Sequence, residues 1–222
     1  MELSGQNFKK RPACCKKIGV TGGTGTGKSV FSREFGRMGA CVIDADAVAR
    51  ELTVRDEGVR RKLMRAFGSE MFTSRGRLKR AVLADRVFKD QRELEKLNRI
   101  MWPPLKKAIR SRMAGCLAGD PDRTVVVDAA ILFDAGMASW FDLVFVIEAP
   151  LSSRISRLVQ SRGWTGKQAK ERIVSQPGWS AGHRTAFPGI DCSSVIRVRN
   201  SGSKAEWKAT ARALYKGCRS HV

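Results

Sequence analysis

The run Gly22-Gly23-Thr24-Gly25-Thr26-Gly27-Lys28-Ser29 is the part of this 222-residue chain whose residue types and order most directly dictate chemistry. It satisfies the spacing G-x-x-x-x-G-K-[ST], in which glycines let successive backbone N–H groups turn inward as a nest for an anion. Apolar residues then recur at helical spacing from Lys28 to about Met38, so a helix N-terminus points at the same anion. Lys28 is placed to reach β- and γ-phosphates, and the Ser29 hydroxyl suits Mg²⁺. Gly23, Thr24, Gly25, Thr26, Gly27, Lys28, Ser29 and Val30 are therefore the expected contacts to a nucleoside triphosphate, Val30 through its backbone N–H.

Carboxylates and guanidinium groups stand where such a triphosphate needs them. Asp44 and Asp46 follow the short apolar run Cys41-Val42-Ile43, and Asp128 ends Val125-Val126-Val127. These are C-terminal ends of expected parallel strands, where ligands of open α/β sheets bind. A hydroxyl acceptor is too weak an acid to attack unaided, so a carboxylate in reach supplies general-base help and alignment. On spacing alone Asp46 has two readings, that base or the cap of a helix beginning at Ala47. Asp44 lies on the same side of an extended segment by i, i+2 alternation and reads as structural. Asp128 is either a Mg²⁺-associated carboxylate or a strand-end cap. Arg154, Arg157 and Arg162 follow Pro150 on a helix, with Arg172 beyond. Guanidinium forks match phosphate oxygens, and Arg157 and Arg162 are the stronger candidates for a lid that excludes water from the nucleotide. Arg50 reads equally as an acceptor-phosphate contact or a solvated face. The tryptophans and the two histidines, His183 and His221, receive no role. Cysteines at 14, 15, 41, 116, 192 and 218 show no C-x-x-C spacing, so no zinc framework is read. The start lacks an apolar export segment, and free thiols in a reducing cytoplasm are expected.

The elements that must position these groups alternate. Lys17–Thr21, a helix, and Cys41–Ile43 form a βαβ unit with a right-handed crossover. Ala47–Val54, Glu57–Phe67, Leu78–Phe88 and Gln91–Ala118 read as helices, the last interrupted at Pro103-Pro104. The sheet resumes with Val125–Asp128, Asp142–Ile147 and Val195–Val198, and Lys204–Tyr215 closes the chain as an amphipathic helix. The expected fold class is α/β: a P-loop NTPase with a three-layer parallel sheet flanked by helices, a helical acceptor-binding insertion and a lid. In residues, 1–16 is a basic mobile tail; 17–54, 119–153 and 190–222 form the core; 55–118 is the helical acceptor domain; 154–189 is the Arg-rich lid.

Charge bounds the partners without choosing among them. Lys plus Arg is 42 against 21 Asp plus Glu, a net +21. From Arg55 to Arg112 there are 18 Lys/Arg and 7 Asp/Glu, so 18 − 7 = +11 of that excess falls in the helical insertion. Nucleic acid, anionic lipid and phosphorylated metabolites are all attracted by such a surface. No apolar stretch is long enough to span a bilayer. A guanine-binding N-K-x-D motif is absent, and the length does not suit a motor or helicase core.

At this level of detail the chain resembles the dephospho-CoA kinase family. IGVTGGTGTGKSVFSREFGRMGACVIDADAVAREL is similar to that family's opening, as are FGSEMF followed by GRLKRAVLADRVF, VVVDAAILFDAGMASWFDLVFVIEAP, RLVQSRGWTGKQAKERIVSQ and Asn200-Ser201-Gly202-Ser203. The likeness covers about residues 17 to 215. It implies ATP and Mg²⁺ as cofactors, dephospho-CoA as the other partner, and phosphorylation of its ribose 3′-hydroxyl in the cytoplasm to give CoA and ADP. It also implies catalytic roles for Asp46 and Lys28, with no specific nucleic acid and no membrane involved; the oligomeric state stays open. Departures from the family pattern are Val30 for a Ser or Thr, Trp102-Pro103 for a His-Pro pair, and Ala130-Ile131-Leu132-Phe133-Asp134 for Pro-Leu-Leu-x-Glu. Two alternatives stay in view, another small-molecule or nucleotide kinase and a basic P-loop nucleic-acid-binding ATPase.

Overall fold

Valine- and isoleucine-rich runs with no polar alternation can only be buried on both faces, which requires a parallel sheet covered by helices. The computed structural model, which describes residues 15–175 and 195–219, has this arrangement. Its elements are β1 (Lys17–Thr21), α1 (Lys28–Arg37), β2 (Cys41–Asp44), α2 (Ala45–Arg55), α3 (Glu57–Phe67), α4 (Arg80–Lys89), α5 (Gln91–Gly119), β3 (Val125–Asp128), β4 (Leu143–Glu148), α6 (Leu151–Arg162), α7 (Gly166–Val174), β5 (Val195–Arg199) and α8 (Lys204–Arg219). The strands form one parallel sheet in the order β2-β3-β1-β4-β5. Val20 of β1 lies opposite Asp128 of β3, so the loop leaving β1 and the carboxylate ending β3 share the C-terminal end of the sheet.

The chain divides into two compact units, one formed by Met1–Ile43 with Cys116–Val222 and the other by Asp44–Gly115. In the first, Ile18, Val20, Phe145 and Ile147 of the sheet pack with Phe31 and Phe35 of α1 and with Trp207, Ala211 and Tyr215 of α8. Each fully buried large apolar side chain contributes about 1.5–3 kcal/mol, which fixes α1 against the sheet and thereby the loop before it. In the second, Val59, Leu63 and Phe67 recur at i, i+4 and i+8 on α3 and bury against Leu83 and Val87 of α4. Helix α2 also packs on α3 within this unit.

Two expectations are corrected by the fold. Helix α5 is not interrupted: it runs from Gln91 to Gly119 through Pro103 and Pro104. Leu105, Ile109 and Met113 continue one buried face beyond the prolines, and that burial outweighs two missing N–H donors. The reading of all cysteines as free thiols fails at one pair. Cys41, at the start of β2, and Cys116, near the end of α5, form a disulfide with Cα atoms 6.3 Å apart. Their sequence separation of 75 hides a proximity that only the fold creates. Among the described residues no helix is long and apolar enough to cross a membrane. The expected tail through residue 14, the expected lid beyond residue 175, and Cys14, Trp179, His183, Cys192 and His221 lie outside the described residues.

Candidate functional site

The glycine loop leaves β1 at its C-terminal end and turns directly into α1. Gly27 is the N-cap of α1 at φ 98°, a left-handed conformation that glycine adopts without penalty, and no side chain caps that helix. Side chains cap α2 (Asp44), α3 (Asp56) and α7 (Thr165), whereas α4 and α6, like α1, have no side-chain cap. No side chain thus competes with an external anion at the α1 end, and the helix dipole stands behind it, while the Val30 and Phe31 N–H groups donate to Gly27 O, each at 3.1 Å. Inside the loop the Gly23 carbonyl accepts from Thr26 Oγ1 at 2.8 Å and from Lys28 Nζ at 3.3 Å. The Lys28 ammonium therefore rests over the loop. Gly23 and Thr26 are buried, Thr24, Gly25, Gly27 and Lys28 half-buried, and the Ser29 side chain faces solvent. Val30 packs its side chain against the core, and its backbone N–H, the expected ligand contact, donates to Gly27 O at 3.1 Å.

Asp128 is buried at the end of β3, where the Ala129 N–H donates to Val20 O at 3.0 Å and ties that strand end to the loop's origin. Helix α6 brings two guanidinium groups to the same loop from its carbonyl side. Arg154 Nε donates to Thr24 O at 2.8 Å. Arg157 Nη1 donates to the carbonyls of Gly25 and Thr26 at 3.3 and 3.2 Å, and its Nη2 to Asn200 O at 3.3 Å. Burial lowers the pKa of both guanidinium groups, which stay charged. Arg162 lies elsewhere, exposed, with its guanidinium 5.3 Å from the centre of the Trp164 ring.

Asp46 belongs to the second unit. There the segment after β2 is helical, not extended, and α2 starts at Ala45 rather than Ala47. The capping role considered for Asp46 falls to Asp44, whose Oδ1 accepts from Ala47 N at 3.0 Å. Asp44 also holds Arg50 at 3.7 Å, so that arginine has a partner on its own helix. Asp46 stands exposed in the first turn and takes part in no hydrogen bond or ion pair among the described residues. A groove of about 440 Å³ opens in the same unit, lined by Val48, Leu52, Ala108, Glu51 and Arg112 among others. A hydrogen bond and the charge of Arg112 hold the Glu51 carboxyl below its usual range.

Among the described residues no group of three or more His, Cys, Asp or Glu could cage a metal ion. Mg²⁺ at nucleotide sites needs less, since it keeps several waters and takes one or two protein oxygens beside the phosphates. Ser29 and Asp128 are oxygen donors of that kind, so the residues present fit it. Sequence reasoning missed Asn200 and Trp207 as neighbours of the loop. Asn200 Nδ2 donates to Thr26 O at 2.8 Å and Trp207 Nε1 to Gly27 O at 3.1 Å. Nothing local in the sequence announces either contact; the available signal was that a buried indole N–H needs an acceptor.

A sequence profile described as dephospho-CoA kinase matches residues 16–192. The chain is 35% identical over 199 residues to a dephospho-CoA kinase of Corynebacterium diphtheriae, covering 90% of this chain and 95% of the relative. It is 36% identical over 202 residues to one of Geobacillus kaustophilus, covering 90% and 94%. Among solved structures, TT1252 from Thermus thermophilus superposes with a TM-score of 0.69 at 25% identity, over 92% of this chain and 97% of that one.

Proposed function

The chain belongs to the dephospho-CoA kinase family, and from that premise we propose how its own residues carry a phosphoryl group from ATP to dephospho-CoA. It is a kinase of coenzyme A biosynthesis, and the γ-phosphoryl passes to the ribose 3′-hydroxyl to give CoA and ADP. The observation that carries the residue-level reading is the uncapped N-terminus of α1 behind a glycine loop, with the Lys28 ammonium already over it.

Backbone N–H groups from Gly23 to Val30 hold the triphosphate. Lys28 exchanges the Gly23 carbonyl for β- and γ-phosphate oxygens and follows the charge as it moves to the departing ADP. Asp46 accepts the proton of the 3′-hydroxyl as its oxygen bonds to phosphorus. Its exposed carboxylate supports that role, as no partner has to be released first. Arg162 serves the nucleotide from the lid, and Arg157 does so through the loop it touches. Ser29 and Asp128 would hold Mg²⁺, which would neutralise part of the triphosphate charge. The groove beside Glu51 and Arg112 suits the acceptor's arm, in keeping with a helical acceptor unit. Both substrates are metabolites of the cytoplasm, where we place the enzyme, with no nucleic acid or membrane in the reaction.

The test is ADP release measured with dephospho-CoA, adenosine, AMP and pantetheine as acceptors, in the natural chain and in Lys28→Ala. Turnover with dephospho-CoA alone is expected, falling by roughly 10²–10³-fold in the variant with an unchanged melting temperature. Equal turnover in the variant, or a preferred acceptor other than dephospho-CoA, overturns the reading.

A further inference from the structure

Four consecutive carbonyls of the glycine loop each accept a hydrogen bond from a side chain far away in sequence. Thr24 O is held by Arg154, Gly25 O by Arg157, Thr26 O by Arg157 and Asn200, and Gly27 O by Trp207. In a trans peptide the carbonyl and the following N–H point in opposite directions, and the described backbone has no cis bond. Fixing those carbonyls on one side therefore turns the N–H groups of Gly25, Gly27 and Lys28 to the other, the side a phosphate approaches, while the Thr26 N–H donates within the loop to Gly23 O at 3.4 Å. The bracing is close enough to dictate the glycines. A Cβ on Gly27 would come within 2.5 Å of Asn200 Nδ2 and 3.0 Å of Trp207 Nε1. One on Gly25 would come within 2.9 Å of Arg154 O.

We propose that Trp207 and Asn200 are positioning residues for ATP: they act through the loop backbone, and through Trp207 the last described helix sets the phosphate nest. Trp207 is suited to this because its ring is fixed in the core, 5.2 Å from that of Phe31, and is 4% exposed. Its Nε1–H is therefore a donor on a rigid mount, and it reaches the Gly27 carbonyl at the first turn of α1. Asn200 is 3% exposed and is itself fixed, its N–H donating to Glu148 O at 2.7 Å and its carbonyl accepting from Arg157. A loop preorganised before ATP arrives binds phosphate without the cost of ordering itself.

This inference rests on the kinase reading, and the experiment separates the two. Trp207→Phe keeps an aromatic ring and removes only the donor; Asn200→Ala is the second variant. Tyr215→Phe, which alters α8 where it packs on α1 without touching the loop, is the control. ATP and inorganic tripolyphosphate are titrated by calorimetry, and the KM values for ATP and dephospho-CoA are measured beside kcat and melting temperature. Loss of one hydrogen bond to a backbone carbonyl weakens both polyphosphates by about threefold to tenfold. The expected pattern is that loss in both variants, a matching rise in the KM for ATP, and an unchanged KM for dephospho-CoA. Unchanged polyphosphate affinity in both variants, or an equal weakening of both substrates that tracks melting temperature and recurs in Tyr215→Phe, overturns the proposal. A natural chain that binds ATP but does not phosphorylate dephospho-CoA defeats the kinase reading, while the affinity ratios still decide this one.

Discussion

Asp44 commits its carboxylate to the Ala47 amide at 3.0 Å and to Arg50 at 3.7 Å, whereas Asp46 makes neither kind of contact among the described residues. That difference decides what each should do when altered. Asp46→Asn preserves volume and leaves no cap or ion pair broken, so melting temperature and ATP affinity should hold. Turnover in a single-turnover assay should fall by about 10²–10⁴-fold, the range of a lost general base. Asp44→Ala should instead lower stability by about 1 kcal/mol through the lost cap, read as a lower urea midpoint. A fully active Asp46→Asn enzyme would remove the catalytic role and send the search for a base elsewhere. At this scale the glycine loop was legible as a turn from strand into helix, because eight adjacent residues write it, whereas its contacts with Asn200 and Trp207 were not. The cap was legible in kind but was considered at Asp46 rather than at Asp44, since a helix boundary read from sequence is uncertain by a residue or two.

Helix α1 is joined to α8 by a buried acid that no sequence pattern marks. Glu34 is 2% exposed and lies between Arg37 of its own helix and Arg212, whose Nη1 reaches Glu34 Oε2 at 2.9 Å. Burial alone would raise its pKa. Hydrogen bonds and charge from Arg212 and Arg37 outweigh that and hold the carboxyl below its ordinary 4.5. Because the folded pKa is depressed, the unfolded chain takes up the proton first. The ion pair's contribution is thus present above the ordinary value and is lost as pH falls below it toward the folded one. Glu34→Gln should be less stable than the natural chain near neutral pH. The gap in urea midpoint should narrow as pH falls below the ordinary carboxyl value of 4.5. Parallel midpoint curves would show that the pair does not link the two helices energetically. Strands and most helices were legible because their apolar periods are local. The continuity of α5 through two prolines and the Cys41–Cys116 disulfide were not, because tertiary packing decides both.

For the molecule as a whole the excess charge is the property that sequence states most plainly and explains least. Part of it is matched within the helical unit: Arg55 and Arg112 pair with Glu51, Arg86 with Glu93, and Lys89 with Asp85. Other cations stand exposed, among them Arg61, Lys62 and Arg65 on α3 and Arg75, Arg77 and Lys79 on the turn before α4. A surface of that kind raises the local concentration of any anion, and dephospho-CoA carries a pyrophosphate. If this excess assists acceptor capture, affinity must depend on screening, because the Debye length falls from about 10 Å at 0.1 M salt to about 3 Å at 1 M. Calorimetric titration of dephospho-CoA should therefore give a dissociation constant that rises steadily with salt. Pantetheine, which has the same arm without phosphate, should show no comparable trend, and this contrast separates charge capture from general salt effects on the fold. A flat response for dephospho-CoA would mean that the acceptor is held by local contacts alone, leaving the basic surface without a part in its binding. Nucleic acid offers the complementary control. Retention on DNA is expected of any strongly basic surface, whereas ADP release that DNA or RNA does not stimulate would place that retention outside the catalytic cycle.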